Sequence, residues 1–129
     1  GYLNTPDWCD SNLNDLHSVY GVPSEKIFCG LGFYAKGKDL AGNTLSYQYR
    51  DLVDMITIDN TVDSFTIPHP DNSGETVVLE FNNGETSLQE KVNIVRNNDL
   101  GGMMVWALNH DVPASESNSR IKYLRSITD

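Results

Sequence analysis

The sequence predicts an α/β fold in which helices alternate with buried parallel strands, broken in the middle by a small α+β insertion. Three observations carry that prediction. Two segments, Ile27 to Tyr34 and Gly102 to Leu108, run apolar without alternation, as strands covered on both faces do. Each follows a stretch with apolar residues at helical spacing and residues suited to helix ends. Between the two units, residues 36–83 are too many for an ordinary loop and carry strand, turn and helix signals of their own.

The elements follow in order. Leu13, Leu16 and Tyr20 recur at helical spacing, and Asn12 or Asp10 can cap the free N–H groups at the start. Gly21 suits a helix terminus and Pro23 blocks continuation, so the first buried strand comes next. In the insertion, Tyr47 to Met55 predicts a short helix. Phe65 and Ile67 alternate with polar residues, as do Val77, Leu79 and Phe81, and the turn formers from Pro68 to Gly74 make the two an antiparallel hairpin. Ser87-Leu88-Gln89-Glu90 has the form of a capping box, in which Ser and Glu satisfy exposed backbone donors reciprocally. Leu88, Val92 and Val95 form one stripe, ended by Asn97, Asn98 and Gly101. The strand from Gly102 follows. A closing helix begins near Ser117 or Asn118 with Ile121, Leu124 and Ile127 on one face. Helix–strand units in series imply parallel strands joined by helical crossovers.

Composition narrows the partners. With 18 acidic against 9 basic residues the net charge is -9, and no Lys/Arg cluster exists. Nucleic acid and anionic membrane are therefore excluded as expected partners, and a neutral sugar polymer fits better. No apolar stretch approaches the ~20 residues of a membrane span. His17, His69 and His110 lack metal-ligand spacing, and Gly30, Gly32, Gly101 and Gly102 lack the pattern of a phosphate cradle, so no metal or cofactor is expected. Cys29 reads as a buried thiol and Cys9 as a free one; a disulfide between them stays open, because spacing carries no geometry.

The stretch from Leu100 to Asp111 says most about function. It opens on Gly101-Gly102, runs apolar and carries Trp106 near its end, with His110 and Asp111 just beyond. A buried parallel strand that delivers an aromatic to its C-terminal end looks like a strand of a (β/α)8 barrel, where those ends form the active-site face. The plain alternative is a core Trp in an ordinary strand, with His110 and Asp111 as exposed loop polars. The 129 residues are about half of the ~250 that such a barrel typically needs.

Val22-Pro23-Ser24-Glu25-Lys26-Ile27-Phe28-Cys29-Gly30-Leu31-Gly32-Phe33-Tyr34 resembles the seventh-strand segment of family-18 glycoside hydrolases, the chitinase family. Leu100 to Trp106 is similar to that family's eighth strand, Leu-Gly-Gly followed by apolar residues and Trp. Ser87, Leu88 and Lys91 sit where the family's preceding helix has Ser and Lys, and many chitinases carry an α+β insertion after strand seven. The likeness implies a partial (β/α)8 TIM barrel, strands seven and eight with flanking helices, in residues 1–35 and 84–129, and an insertion domain in residues 36–83.

The same resemblance implies the C-terminal part of an enzyme that hydrolyses β-1,4-linked N-acetylglucosamine polymers by a substrate-assisted, retaining mechanism. Trp106 would be the floor under the sugar at the cleavage point, Tyr34 and Lys36 its neighbours, and Tyr2 a residue close behind strand six. Lys36 stands where many relatives have Arg, Ala35 where they have Gly, and Gly32 where they have Pro. The family's Asp-x-x-Asp-x-Asp-x-Glu motif, whose Glu is the general acid, has no counterpart here. Asp51 and Asp54 begin it, but Ile56 and Ile58 follow, so the pair reads as a solvated helix face. The segment by itself is therefore expected to be inactive. A secreted or extracellular setting, and association with the rest of a barrel or with itself, complete the expectations. A non-catalytic sugar-binding relative and an independent small α+β domain are the rival readings.

Overall fold

The computed structural model describes residues 4–128, so the expectation for Tyr2 lies outside the described residues. The elements run α1 (Pro6–Ser18), β1 (Phe28–Gly32), β2 (Tyr34–Lys38), β3 (Thr44–Gln48), α2 (Tyr49–Met55), β4 (Ser64–Pro68), β5 (Thr76–Glu80), α3 (Glu85–Asn97), β6 (Gly102–Trp106) and α4 (Arg120–Thr128). They form a mixed α/β structure with two sheets. β1 and β6 make a parallel pair, aligned from Phe28 opposite Gly102 to Gly32 opposite Trp106. The other four strands form an antiparallel sheet in the order β3-β2-β5-β4.

Each sheet has its own core. Cys29, Leu31 and Phe33 pack with Cys9 of α1, Leu88 and Val92 of α3, and Leu124 of α4. Ala35, Phe65, Ile67, Val77, Leu79 and Phe81 pack with Tyr49 and Leu52 of α2. The parallel pairing and the β4–β5 hairpin agree with the sequence pattern, and the short helix α2 forms but starts at Tyr49, with Tyr47 and Gln48 belonging instead to β3. Gly21 sits at φ +70°, where a left-handed residue ends α1 and lets Val22 N–H reach the Leu16 carbonyl at 2.9 Å. None of the described helices is long and apolar enough to cross a membrane.

Several expectations need correction. α1 starts at Pro6, where a fixed φ suits the first helical position, and is capped by Thr5, whose Oγ1 accepts from Trp8 N–H at 3.2 Å. Asn12 and Asp10 lie inside it. The helix buries the face of Cys9, leaving Leu16 and Tyr20 exposed. The capping box at Ser87 does not form. Gly84 is the cap residue, and Asp63 from the loop between α2 and β4 accepts both the Gly84 N–H (2.9 Å) and the Ser87 hydroxyl. A side chain at position 84 would meet the Thr61 and Val62 carbonyls at 2.6 Å, so the loop crosses too close for anything but glycine.

The apolar run from Ile27 to Tyr34 is not one strand. Phe33 still donates its N–H to the Trp106 carbonyl at 2.8 Å, but its own carbonyl accepts from Tyr49, and Tyr34 opens β2 in the other sheet. Nor is the parallel pair covered on both faces. Cys29, Leu31 and Phe33 face the helices, with Met103 and Val105 against the same core, whereas Phe28, Met104 and Trp106 are 53%, 50% and 64% exposed on the opposite side. α4 begins at Arg120, two to three residues later than its polar prelude suggests.

Candidate functional site

The ends of β6 and β1 place Trp106 and Tyr34 together. Trp106 is the last residue of β6, its side chain pointing away from the helices by strand alternation. Its register partner is Gly32, two residues before Tyr34. Tyr34 folds back over that glycine. A Cβ on Gly32 would lie 2.7 Å from Tyr34 Cε1, so the missing side chain is what lets the ring lie there. Lys36 follows on the same side of β2, its Nζ 5.2 Å from the centre of the Tyr34 ring, a cation–π contact. The Trp106–Ala107 peptide is cis.

These three side chains, with Ser46 and Gln48 of β3 and His110, line an open groove of about 460 Å³. Tyr34 and Lys36 also border a smaller recess of about 170 Å³ formed with Trp8, Gly32, Glu80 and Asn82. The arrangement offers a bare indole, a phenol ring, an ammonium, a hydroxyl and an amide. Such a set can stack on the apolar face of a pyranose and hydrogen-bond its rim hydroxyls. Trp106 is thus no core residue, and the sequence-predicted Tyr34 and Lys36 share its groove. Ser46, Gln48 and Trp8 were not foreseen. They come from a β2–β3 hairpin and a helix start whose position relative to Trp106 is set by tertiary packing.

The residues beyond β6 part company. His110, read as an exposed loop polar, lines the groove with its Nδ1 shut from solvent and without a hydrogen-bond partner among the described residues. Asp111 is buried and turned away. Its carboxylate accepts from the N–H groups of Val112 (2.9 Å), Arg120 (3.1 Å) and Ile121 (2.8 Å) and from the Ser119 hydroxyl (2.9 Å), capping α4. Asp51 and Asp54 lie exposed on α2, as a solvated helix face should.

One cluster was invisible in the spacing. Asp39, His69 and Glu75 bring three potential metal-ligand atoms within 4.8 Å of one another. The hydrogen bonds argue against ligation. His69 Nδ1 accepts from the N–H groups of Asp71 and Asn72, both at 3.0 Å, so the ring proton sits on Nε2 and is donated to Asp39 Oδ2 at 3.1 Å. A cation on Nε2 would force that proton onto Nδ1, against two donors. The Asp39 and Glu75 carboxyls are held below their ordinary range, the first chiefly by the Asn43 amide and the second by the Leu40 N–H. The cluster ties the turn after β2 to the turn after β4.

No protein-family model matches the chain, and no curated protein matches it in sequence. Solved structures do match. The chitinase of Chromobacterium violaceum superposes with a TM-score of 0.65 at 23% identity, over 97% of this chain and 39% of that one. The fold is chitinase-like. The spore cortex-lytic enzyme SleL of Bacillus megaterium gives 0.61 at 20% identity, over 92% of this chain and 29% of its own. Human YKL-39, described as a pseudo-chitinase with retained chitooligosaccharide binding, gives 0.58 at 15% identity, over 95% and 40%. The chain thus spans less than half the length of these chitinase-like structures.

Proposed function

We propose that the chain is the C-terminal part of a chitinase-type glycoside hydrolase. β1 and β6 are strands seven and eight of a (β/α)8 barrel, residues 1–35 and 84–129 belong to that barrel, and residues 36–83 are its insertion domain. The separate cores of the parallel pair and the antiparallel sheet support such a division, with its first boundary after Phe33, since Tyr34 and Ala35 already belong to the antiparallel sheet. The substrate is a β-1,4-linked N-acetylglucosamine polymer or glycan, hydrolysed outside the cell with the substrate's own acetamido group as nucleophile. This segment supplies the sugar-binding floor, Trp106, with Tyr34 and Lys36 at its side. The general acid is not among its residues.

The observation that carries the reading is the place of the indole. Trp106 ends a parallel strand and shares one groove with Tyr34 and Lys36, at the end where (β/α)8 enzymes hold substrate. Titration of the whole protein with N-acetylglucosamine oligomers tests it. Trp106→Ala should weaken binding about tenfold, ~1.4 kcal/mol, while circular dichroism stays native. An unchanged affinity in a native-like variant would leave Trp106 without a role in sugar binding and remove the basis of the assignment.

A further inference from the structure

We propose that Lys91 and Asn83 are positioning residues of the groove, a buried amine and amide that fix the Gly32 carbonyl and through it the seat of the Tyr34 ring. Both are 0% exposed, Lys91 on α3 and Asn83 between β5 and α3. The Lys91 amine donates to the Asn82 carbonyl (2.7 Å) and to Asn83 Oδ1 (2.9 Å). Asn83 Nδ2 in turn donates to the Gly32 carbonyl at 2.8 Å and to the Phe81 carbonyl at 3.3 Å. Those partners decide which way the amide points. Two carbonyls require its N–H side, and Lys91 supplies the donor that its oxygen requires.

A lysine amine is costly to bury, and among the described residues no carboxylate forms an ion pair with it. Its hydrogen bonds go instead to the segment joining β5 to α3, and the next bond along reaches the last residue of β1. That residue, Gly32, is the register partner of Trp106 and the glycine over which Tyr34 folds. Asn82, at φ +58°, turns the same segment and borders the recess with Tyr34 and Lys36. One chain of hydrogen bonds thus runs from the buried side of α3 to the strand end beneath the groove. Neither Lys91 nor Asn83 lines the groove, so both act through Gly32 and Tyr34. Their effect on affinity rests on the sugar-binding reading above.

The test uses the whole protein with isotope-labelled tyrosine, the Tyr34 ring signal being assigned by Tyr34→Phe, and two variants. Lys91→Met removes the donor but keeps an unbranched side chain. Asn83→Asp keeps an oxygen for Lys91, as an ion pair that holds the fold, and removes the N–H group that binds Gly32. If Lys91 served only the stability of the core, Asn83→Asp would leave the groove as it is. The expected result is that both variants keep the native circular dichroism and shift the Tyr34 signal while that of Tyr20 stays in place. Both should bind N-acetylglucosamine oligomers several-fold more weakly. Should Lys91→Met fail to fold, Asn83→Asp decides alone. An unmoved Tyr34 signal in folded Asn83→Asp would overturn the proposal. So would a moved signal with full affinity, in a protein whose oligomer binding Trp106→Ala weakens. If the unaltered protein bound no oligomer, the sugar reading would fall, and the Tyr34 signal would still decide whether Lys91 and Asn83 position the ring.

Discussion

At residue scale the groove depends on a side chain that is absent. Gly32 lets the Tyr34 ring fold across the strand end, beneath the ammonium of Lys36 and beside Trp106. Gly32→Ala puts a methyl group within 2.7 Å of the ring and must displace it. The backbone there is ordinary β, so the fold should tolerate the methyl group with a loss under about 1 kcal/mol. Affinity for N-acetylglucosamine oligomers should nonetheless fall several-fold in a fluorescence titration. Unchanged affinity with an unchanged near-ultraviolet dichroism would mean that the Tyr34 position does not matter to the groove. Trp106 was legible as the end of an apolar run, whereas Tyr34 and Lys36 were reached only through the resemblance to the chitinase family. Ser46 and Gln48 were not. β2 buries one full side chain, Ala35, and breaks its pattern with Gly37, so the hairpin that carries them gives no clear alternation.

At the scale of elements, the helices and the β4–β5 hairpin follow from periodicity, whereas the caps of α3 and α4 come from residues outside the local sequence. The helix α3 is started by Asp63, 21 residues before the Gly84 N–H it accepts from, and α4 by Asp111, nine residues before Arg120. A local capping motif at Ser87 therefore misleads, because the tertiary carboxylate wins both the backbone donor and the serine hydroxyl. Asp111 shows what such a cap is worth. Its buried carboxylate holds three backbone donors and one hydroxyl, and truncation would leave several of them unsatisfied. Asp111→Ala should lower stability by about 2–3 kcal/mol. Urea denaturation at constant m-value measures this, and sugar affinity of the folded fraction should remain, since Asp111 faces away from the groove. A loss below about 0.5 kcal/mol would mean that α4 is held by its apolar face alone.

At the scale of the whole molecule, one side of the parallel sheet is bare. The accessible surface is 7508 Å², against about 6,800 Å² expected for a compact monomer of this mass. Part of the excess is apolar, on Phe28, Met104 and Trp106 along one face of β1 and β6, and on Leu108 past its end. Among the described residues β1 pairs only with β6, so each strand keeps one edge with unpaired N–H and C=O groups. The antiparallel sheet does not pair with these edges. In a barrel both edges would be paired and the bare face would form the interior. The 129-residue chain taken alone should therefore associate through this face. Light scattering across a dilution series should show a mass that rises with concentration, and Met104→Lys, which places a charge on the face without touching the helices, should return it to that of one chain. A mass that stays at one chain throughout, with a cooperative melt, would show that the bare face is stable in water, and the barrel assignment would lose its structural argument.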